Sequence, residues 1–271
     1  MSGSKNDGPL GRHSTIVKTC VFLGPTLPIS RVPDSIDVCG PAVLGSIYKA
    51  SQAGYKRIGI VDGLFGNVPS VWHKEILFAM SKGASVYGAA SLGALRAAEL
   101  HQYGMVGVGR IYRMFRSGLL TDDDEVAVVH CPAELGYSAL SESLVNIRFT
   151  LNRMRNAGVI SMDMQTAACS HFKSLYFADR SLSGLLEYLT KQRISGDVEK
   201  MVQKYYVDVK ADDVIQLFAH MCSGSGVEAT ERLWRFASTI FWKTQFENGI
   251  RDVPELQLTR RSEADFGQEI L

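Results

Sequence analysis

Residues 84–104, ASVYGAASLGALRAAELHQYG, admit few backbone paths. The first seven are small, β-branched or aromatic, which suits a buried strand. Residues 92–102 are rich in Ala and Leu, with one Arg and one Glu, which suits a helix stopped by Gly104. Ser91 stands between them, where the backbone must turn from extended to helical. The pattern A-x-S-x-G resembles the G-x-S-x-G nucleophile elbow, with Ala89 at the first glycine position. Small residues on both sides are what so sharp a turn requires, because larger side chains would collide there. Ser91 therefore has two readings, a helix cap and a nucleophile, and the local pattern leaves both open.

The flanking chain alternates in the same way. Residues 18–23 (KTCVFL) and 57–62, closing on Asp62, read as strands, and so do 126–129, closing on His130. Residues 41–53 and 71–82 read as helices, the second with Ser70 as its N-cap. Strands and helices at this spacing predict βαβ units, an α/β fold built on a parallel sheet with flanking helices. Apolar runs this continuous fit strands covered on both faces. Ligands of such sheets gather outside the carboxyl ends of the strands, which here are marked by Gly24, Asp62, Ser91 and His130. His73 falls on the apolar stripe of its helix, in the first turn. Arg96 and Glu99, three apart on the elbow helix, can pair. The acidic run Asp122-Asp123-Asp124-Glu125 reads as a solvated turn, since a metal site needs further ligands at defined spacing.

From residue 138 onward the periodicity is helical and strand signals are few. Four segments are expected: a disordered leader over 1–14, an α/β core over 15–137, an α-helical subdomain over 138–254 that docks a partner or a second copy, and a loose tail over 255–271. The net charge of +1 gives no general attraction to nucleic acid or membrane. No apolar run approaches the roughly 20 residues of a membrane-spanning helix, and residues 1–15 lack the apolar core of a signal peptide. The five cysteines have no C-x-x-C spacing, which argues against a zinc site or a disulfide framework and for a reducing cytoplasm. Neither a cofactor nor a metal is implied.

Longer runs carry a family resemblance. VFLGPTL (21–27), VDG (61–63), VWHKEIL (71–77), GAASLGALRAAEL (88–100), YGMVGVG (103–109) and DDEVAVVH (123–130) together resemble the TfuA-like family over somewhat under half of the chain. One departure falls in CGPAVLGS (39–46), where the family carries a charged residue after the glycine. The resemblance implies a partner of YcaO proteins in modifying ribosomally made peptides, by thioamidation or in trifolitoxin-type biosynthesis. It further implies hydrolysis of the C-terminal thiocarboxylate of a ThiS-like sulfur-carrier protein to supply sulfide, with the precursor peptide as a further partner. Self-association stays open.

Thiocarboxylate hydrolysis is acyl transfer to water, which uses a nucleophile, a base and donors for the developing oxyanion. With the resemblance, the expected catalytic set is Ser91 with amides of the following helix, His73 or His130 as base and Asp62 as orienting partner. Arg96, Glu99 and Gly24 are the expected substrate-binding residues. Two rivals remain, a non-catalytic adaptor that docks on YcaO or the precursor peptide, and a small-molecule hydrolase unrelated to peptides. An adaptor needs no converging polar groups, so the mutual placement of Asp62, His73, Ser91 and His130 separates it from the hydrolases.

Overall fold

The computed structural model describes residues 17–64, 68–194, 196–223, 234–247 and 258–260. The expected leader, part of the loop at Gly66 and Asn67, the glycine-rich break at 224–226 and most of the tail lie outside the described residues.

Five short strands form the parallel sheet: β1 (Thr19–Phe22), β2 (Asp37–Cys39), β3 (Arg57–Ile60), β4 (Ser85–Gly88) and β5 (Val106–Gly107). A sixth, β6 (Leu258–Arg260), adds antiparallel to β2, giving the order β5-β4-β3-β1-β2-β6. Three residues of the expected loose tail are therefore a strand. Strands β1 to β4 are almost wholly buried, as strands covered on both faces are. Between them run α1 (Ser46–Gln52), α2 (His73–Ser81), α3 (Leu92–Leu100) and α4 (Gly109–Arg116). In a sheet of this order the first connection goes one way from β1 and the later ones go the other. The carboxyl ends of β1 and β3 consequently flank the crevice where chain direction switches.

Several sequence expectations need correction. Helix α1 starts at Ser46 rather than Pro41, because Gly45 takes a left-handed conformation (φ 85°) that no helix continues through. Trp72, not Ser70, precedes α2; Ser70 instead accepts a hydrogen bond from Arg96. Residues 126–129 form no strand of the sheet. Val126 and Ala127 are apolar because they are buried, while Val129 and Cys131 pair irregularly with the returning chain at Leu140 and Ser138. Burial and strand formation select the same residue types, so composition alone could not separate them.

The second half is helical: α5 (Leu144–Asn156), α6 (Met162–Ser174), α7 (Leu182–Lys191), α8 (Val198–Tyr205) and α9 (Val209–Cys222). The first four share their own core, around Leu151, Phe172, Leu185 and Val202. Helix α9 packs elsewhere. Its Val214, Leu217 and Met221 join Val21, Val38 and Tyr87 and so cover one face of the sheet. Its buried Asp213 accepts the first amides of α4, from Arg110 and Ile111, both at 2.8 Å. A carboxylate at a helix N-terminus satisfies orphan donors and complements the helix dipole, so α9 caps α4 across about a hundred residues of sequence. A short segment, Ile240–Trp242 continuing through Lys243–Glu247, lays Trp242 and Phe246 on Tyr48 and Phe78 of α1 and α2.

Candidate functional site

The turn at Ser91 is a tight strand-to-helix elbow whose shape follows from its glycines. A Cβ on Gly93 would lie 1.8 Å from the Ile60 carbonyl oxygen, and one on Gly88 would lie 2.0 Å from the Gly93 oxygen. Backbone atoms cannot yield, so α3 can lie this close to β3 and β4 only with glycine at both places. Ala90 takes a left-handed φ of 65° and Ser91 donates its amide to the Ala89 carbonyl at 2.8 Å, which tightens the corner further.

The Ser91 side chain does not cap the helix that follows it. It makes no cap hydrogen bond to α3, is 2% exposed, and donates to the Val126 carbonyl at 3.4 Å. Lys210 of α9, itself buried, donates to the same oxygen at 3.0 Å. The Gly93 amide donates to the Val61 carbonyl at 3.1 Å.

Asp62 closes the switch crevice. Its Oδ2 accepts the amides of Gly24 (2.9 Å) and Thr26 (3.1 Å), and its Oδ1 accepts the Thr26 hydroxyl at 2.6 Å. The loop after β1 is thereby fastened to the end of β3, and the Gly24 amide is engaged in doing so. His130 sits on the irregular turn over 129–141, where its Nδ1 donates to the Cys131 carbonyl (2.7 Å) and its ring meets Tyr137 edge-on. Asp62, Ser91 and His130 thus each bond to a different partner, and none of these bonds reaches His73.

His73 belongs to a cluster of its own. Its Nε2 donates to Glu99 Oε2 at 2.8 Å, and Arg96 donates to the same oxygen at 2.7 Å. Arg96 also donates through Nε to the Val71 carbonyl (3.1 Å) and through its other terminal nitrogen to Ser70 (3.4 Å), tying α3 to the chain just ahead of α2. Burial works to raise the Glu99 carboxyl, but the hydrogen bonds and charges of His73 and Arg96 outweigh it and hold the carboxyl below its usual range. Glu99 is therefore a fixed anion that orients the His73 ring and, in the neutral ring, leaves the lone pair on Nδ1. The His73 side chain is 47% exposed, so solvent reaches it.

Arg96 and Glu99 line a groove of about 720 Å³, with Leu64, Val68, Leu92 and Leu95 as apolar lining and Asp122, Asp123 and Asp124 along the acidic part. That acidic lining is held from the helical half. Lys173 of α6 bonds Asp122 and Asp124, Arg180 bonds Asp124, and Arg148 of α5 holds Glu125 through two nitrogens at 2.9 and 3.0 Å. A second, smaller cavity of about 80 Å³ lies between Thr26, Glu142, Asn146, Tyr206 and Lys210. The hold of Lys173, Arg180, Arg148 and Lys210 on residues 124–126 carries no local sequence signal, because those partners lie 23 to 84 residues away. The Arg96–Glu99 half of the exposed cluster follows from helical spacing; the His73–Glu99 half, 26 residues apart, does not.

Among the described residues no group of three or more His, Cys, Asp or Glu is placed to hold a metal ion, and no helix is long and apolar enough to cross a membrane. No curated protein matches the chain. The model of the TfuA-like protein family matches residues 62–181, a span running from the carboxyl end of β3 through the His73–Glu99–Arg96 cluster to just past Arg180.

Proposed function

We propose that this protein serves YcaO-dependent modification of a ribosomally made peptide by hydrolysing the C-terminal thiocarboxylate of a ThiS-like sulfur carrier, with His73 as the general base. The YcaO association rests on the TfuA-like match. The hydrolytic reading rests on one observation: a solvent-reached histidine is fixed by a buttressed carboxylate beside a groove large enough for a peptide tail. Water adds to the thiocarboxylate carbon as His73 Nδ1 takes its proton. The C–S bond then breaks, and the imidazolium returns the proton to the departing sulfur. Carboxylate and hydrogen sulfide result, so atoms and charge balance with no redox partner. Glu99 stabilises the imidazolium formed on the way, and Arg96, on the same groove, offers its cation to the anionic tail. In this reading Ser91 shapes the elbow, and Asp62 with Gly24 secures the loop after β1.

A non-catalytic adaptor that docks on YcaO or the precursor peptide is the second reading. The separate bonding of Asp62, Ser91 and His130 favours it. Sulfide release from a thiocarboxylated carrier tests the two. His73→Gln should fold normally and lose at least ~100-fold in rate, the usual contribution of a positioned base, and Glu99→Gln should lose less. Full turnover by folded His73→Gln would overturn the assignment. No release by the wild type, together with YcaO binding, would establish the adaptor.

A further inference from the structure

Two residues after His73 stands Glu75, the one acid of α2. It is 0% exposed, yet it is held by backbone N–H groups rather than by a cation. It accepts the Trp72 amide at 3.0 Å and the Tyr48 amide at 3.4 Å. A lone buried carboxylate is a costly thing to keep. The cost is offset in part by the unsatisfied donors of two helix starts, those of α1 and α2, which the carboxylate joins. His73 is the first residue of α2. The bond from Trp72 to Glu75 therefore spans His73, and the bond to Tyr48 anchors that turn to α1. On the far side, Arg96 grips the Val71 carbonyl and shares Glu99 with His73. The imidazole is thus placed by a chain fixed at both ends, with Arg96 before it and Glu75 after it.

We infer that Glu75 is a positioning residue for His73: by tying the first turns of α1 and α2 together it holds the imidazole against Glu99. Its consequence for turnover rests on the reading of His73 as base, whereas its effect on the imidazole does not. Glu75→Gln keeps the shape but offers one acceptor oxygen and turns an NH₂ group toward backbone donors. The His73–Glu99 bond should then loosen.

The NMR signals of the His73 ring, on protein whose folded fraction is known from circular dichroism, read this directly. In Glu75→Gln the His73 Nε2 proton, which is donated to Glu99, should lose its wild-type chemical shift and exchange faster with water. Sulfide release should fall by about tenfold or more in kcat with KM unchanged, as expected from a misplaced base. A folded variant with wild-type His73 ring signals and kcat overturns the inference. Glu75→Asp, too short to reach both helix starts, takes its place if the Gln variant does not fold. The wild type supplies a measurement free of folding effects. The Trp72 amide proton, donated to Glu75, and the His73 ring protons should share the titration step of Glu75, and a step in Trp72 that leaves the His73 ring unmoved refutes the link. If His73→Gln keeps full activity, the function proposed above fails while these resonances still decide the role of Glu75.

Discussion

Replacing Arg180 by Met tests whether the helical half holds the wall of the groove. Arg180 is 0% exposed. Its guanidinium donates to the Phe172 and Leu175 carbonyls, both at 2.9 Å, and to the Asp124 carbonyl and carboxylate at 2.7 and 2.6 Å. Methionine fills much of the same volume and donates nothing, so three carbonyls lose a donor at once. Each buried acceptor left unpaired costs about 1–3 kcal/mol, though such costs do not add. Lys173 still bonds Asp124, so the carboxylate keeps one cation. Removing one partner of a buried pair typically costs 3–5 kcal/mol, and we expect about 4 kcal/mol here. In urea denaturation with a slope near 2 kcal/mol per molar, that is a midpoint lowered by roughly 2 M at unchanged slope. Lys191→Met, which breaks the exposed Lys191–Glu187 pair, is the control and should leave the midpoint where it was. Asp124→Asn should cost less in the Arg180→Met background than in the wild type, since the two act as a unit. A stability loss under ~1 kcal/mol for Arg180→Met, or strict additivity with Asp124→Asn, would refute the account of this wall.

Further outcomes follow from other elements. Burial raises the Glu75 carboxyl from 4.5 to about 7, against the opposing pull of the backbone amides. The folded chain thus holds a proton that the unfolded chain releases. The stability this supplies is complete below pH 4.5 and is lost as pH rises toward 7, by at most ~3 kcal/mol. Urea midpoints taken across that range should flatten in Glu75→Gln, and parallel pH profiles would disprove it. Gly93→Ala drives a methyl into the Ile60 carbonyl; it should cost at least ~3 kcal/mol or prevent folding, since neither backbone can retreat. Near-wild-type thermal unfolding would refute that packing. Ser91→Ala should cost about 1 kcal/mol or less, because its 3.4 Å bond is long and Lys210 continues to serve the Val126 oxygen. A larger loss in calorimetry would show that the hydroxyl matters more to the elbow than its geometry suggests.

The α/β character was legible in the sequence because strand and helix leave different local marks. β1, β3 and β4 each came from a dense apolar run, α2 and α3 from helical composition, and the stop at Gly104 from its glycine. β2, β5 and β6 were missed because two- and three-residue strands have too few side chains to show a period. Residues 126–129 went the other way, apolar through burial and yet outside the sheet.

The site divides along the same line. The sequence by itself determined the elbow, since only glycine and alanine permit α3 to lie on β3 and β4, and it determined the Arg96–Glu99 pair, since three residues make most of a helical turn. It also supplied His73, Asp62, Ser91 and His130 as chemistry-bearing groups at or near strand ends. Only the tertiary structure decided which of them meet. It joined His73 to Glu99, turned Ser91 toward Val126, spent Asp62 on the loop after β1, and brought Lys173 and Arg180 to the acidic wall. Propensity and spacing act over a turn or a strand, whereas a polar side chain takes the partner that chain crossing and burial bring within about 3 Å.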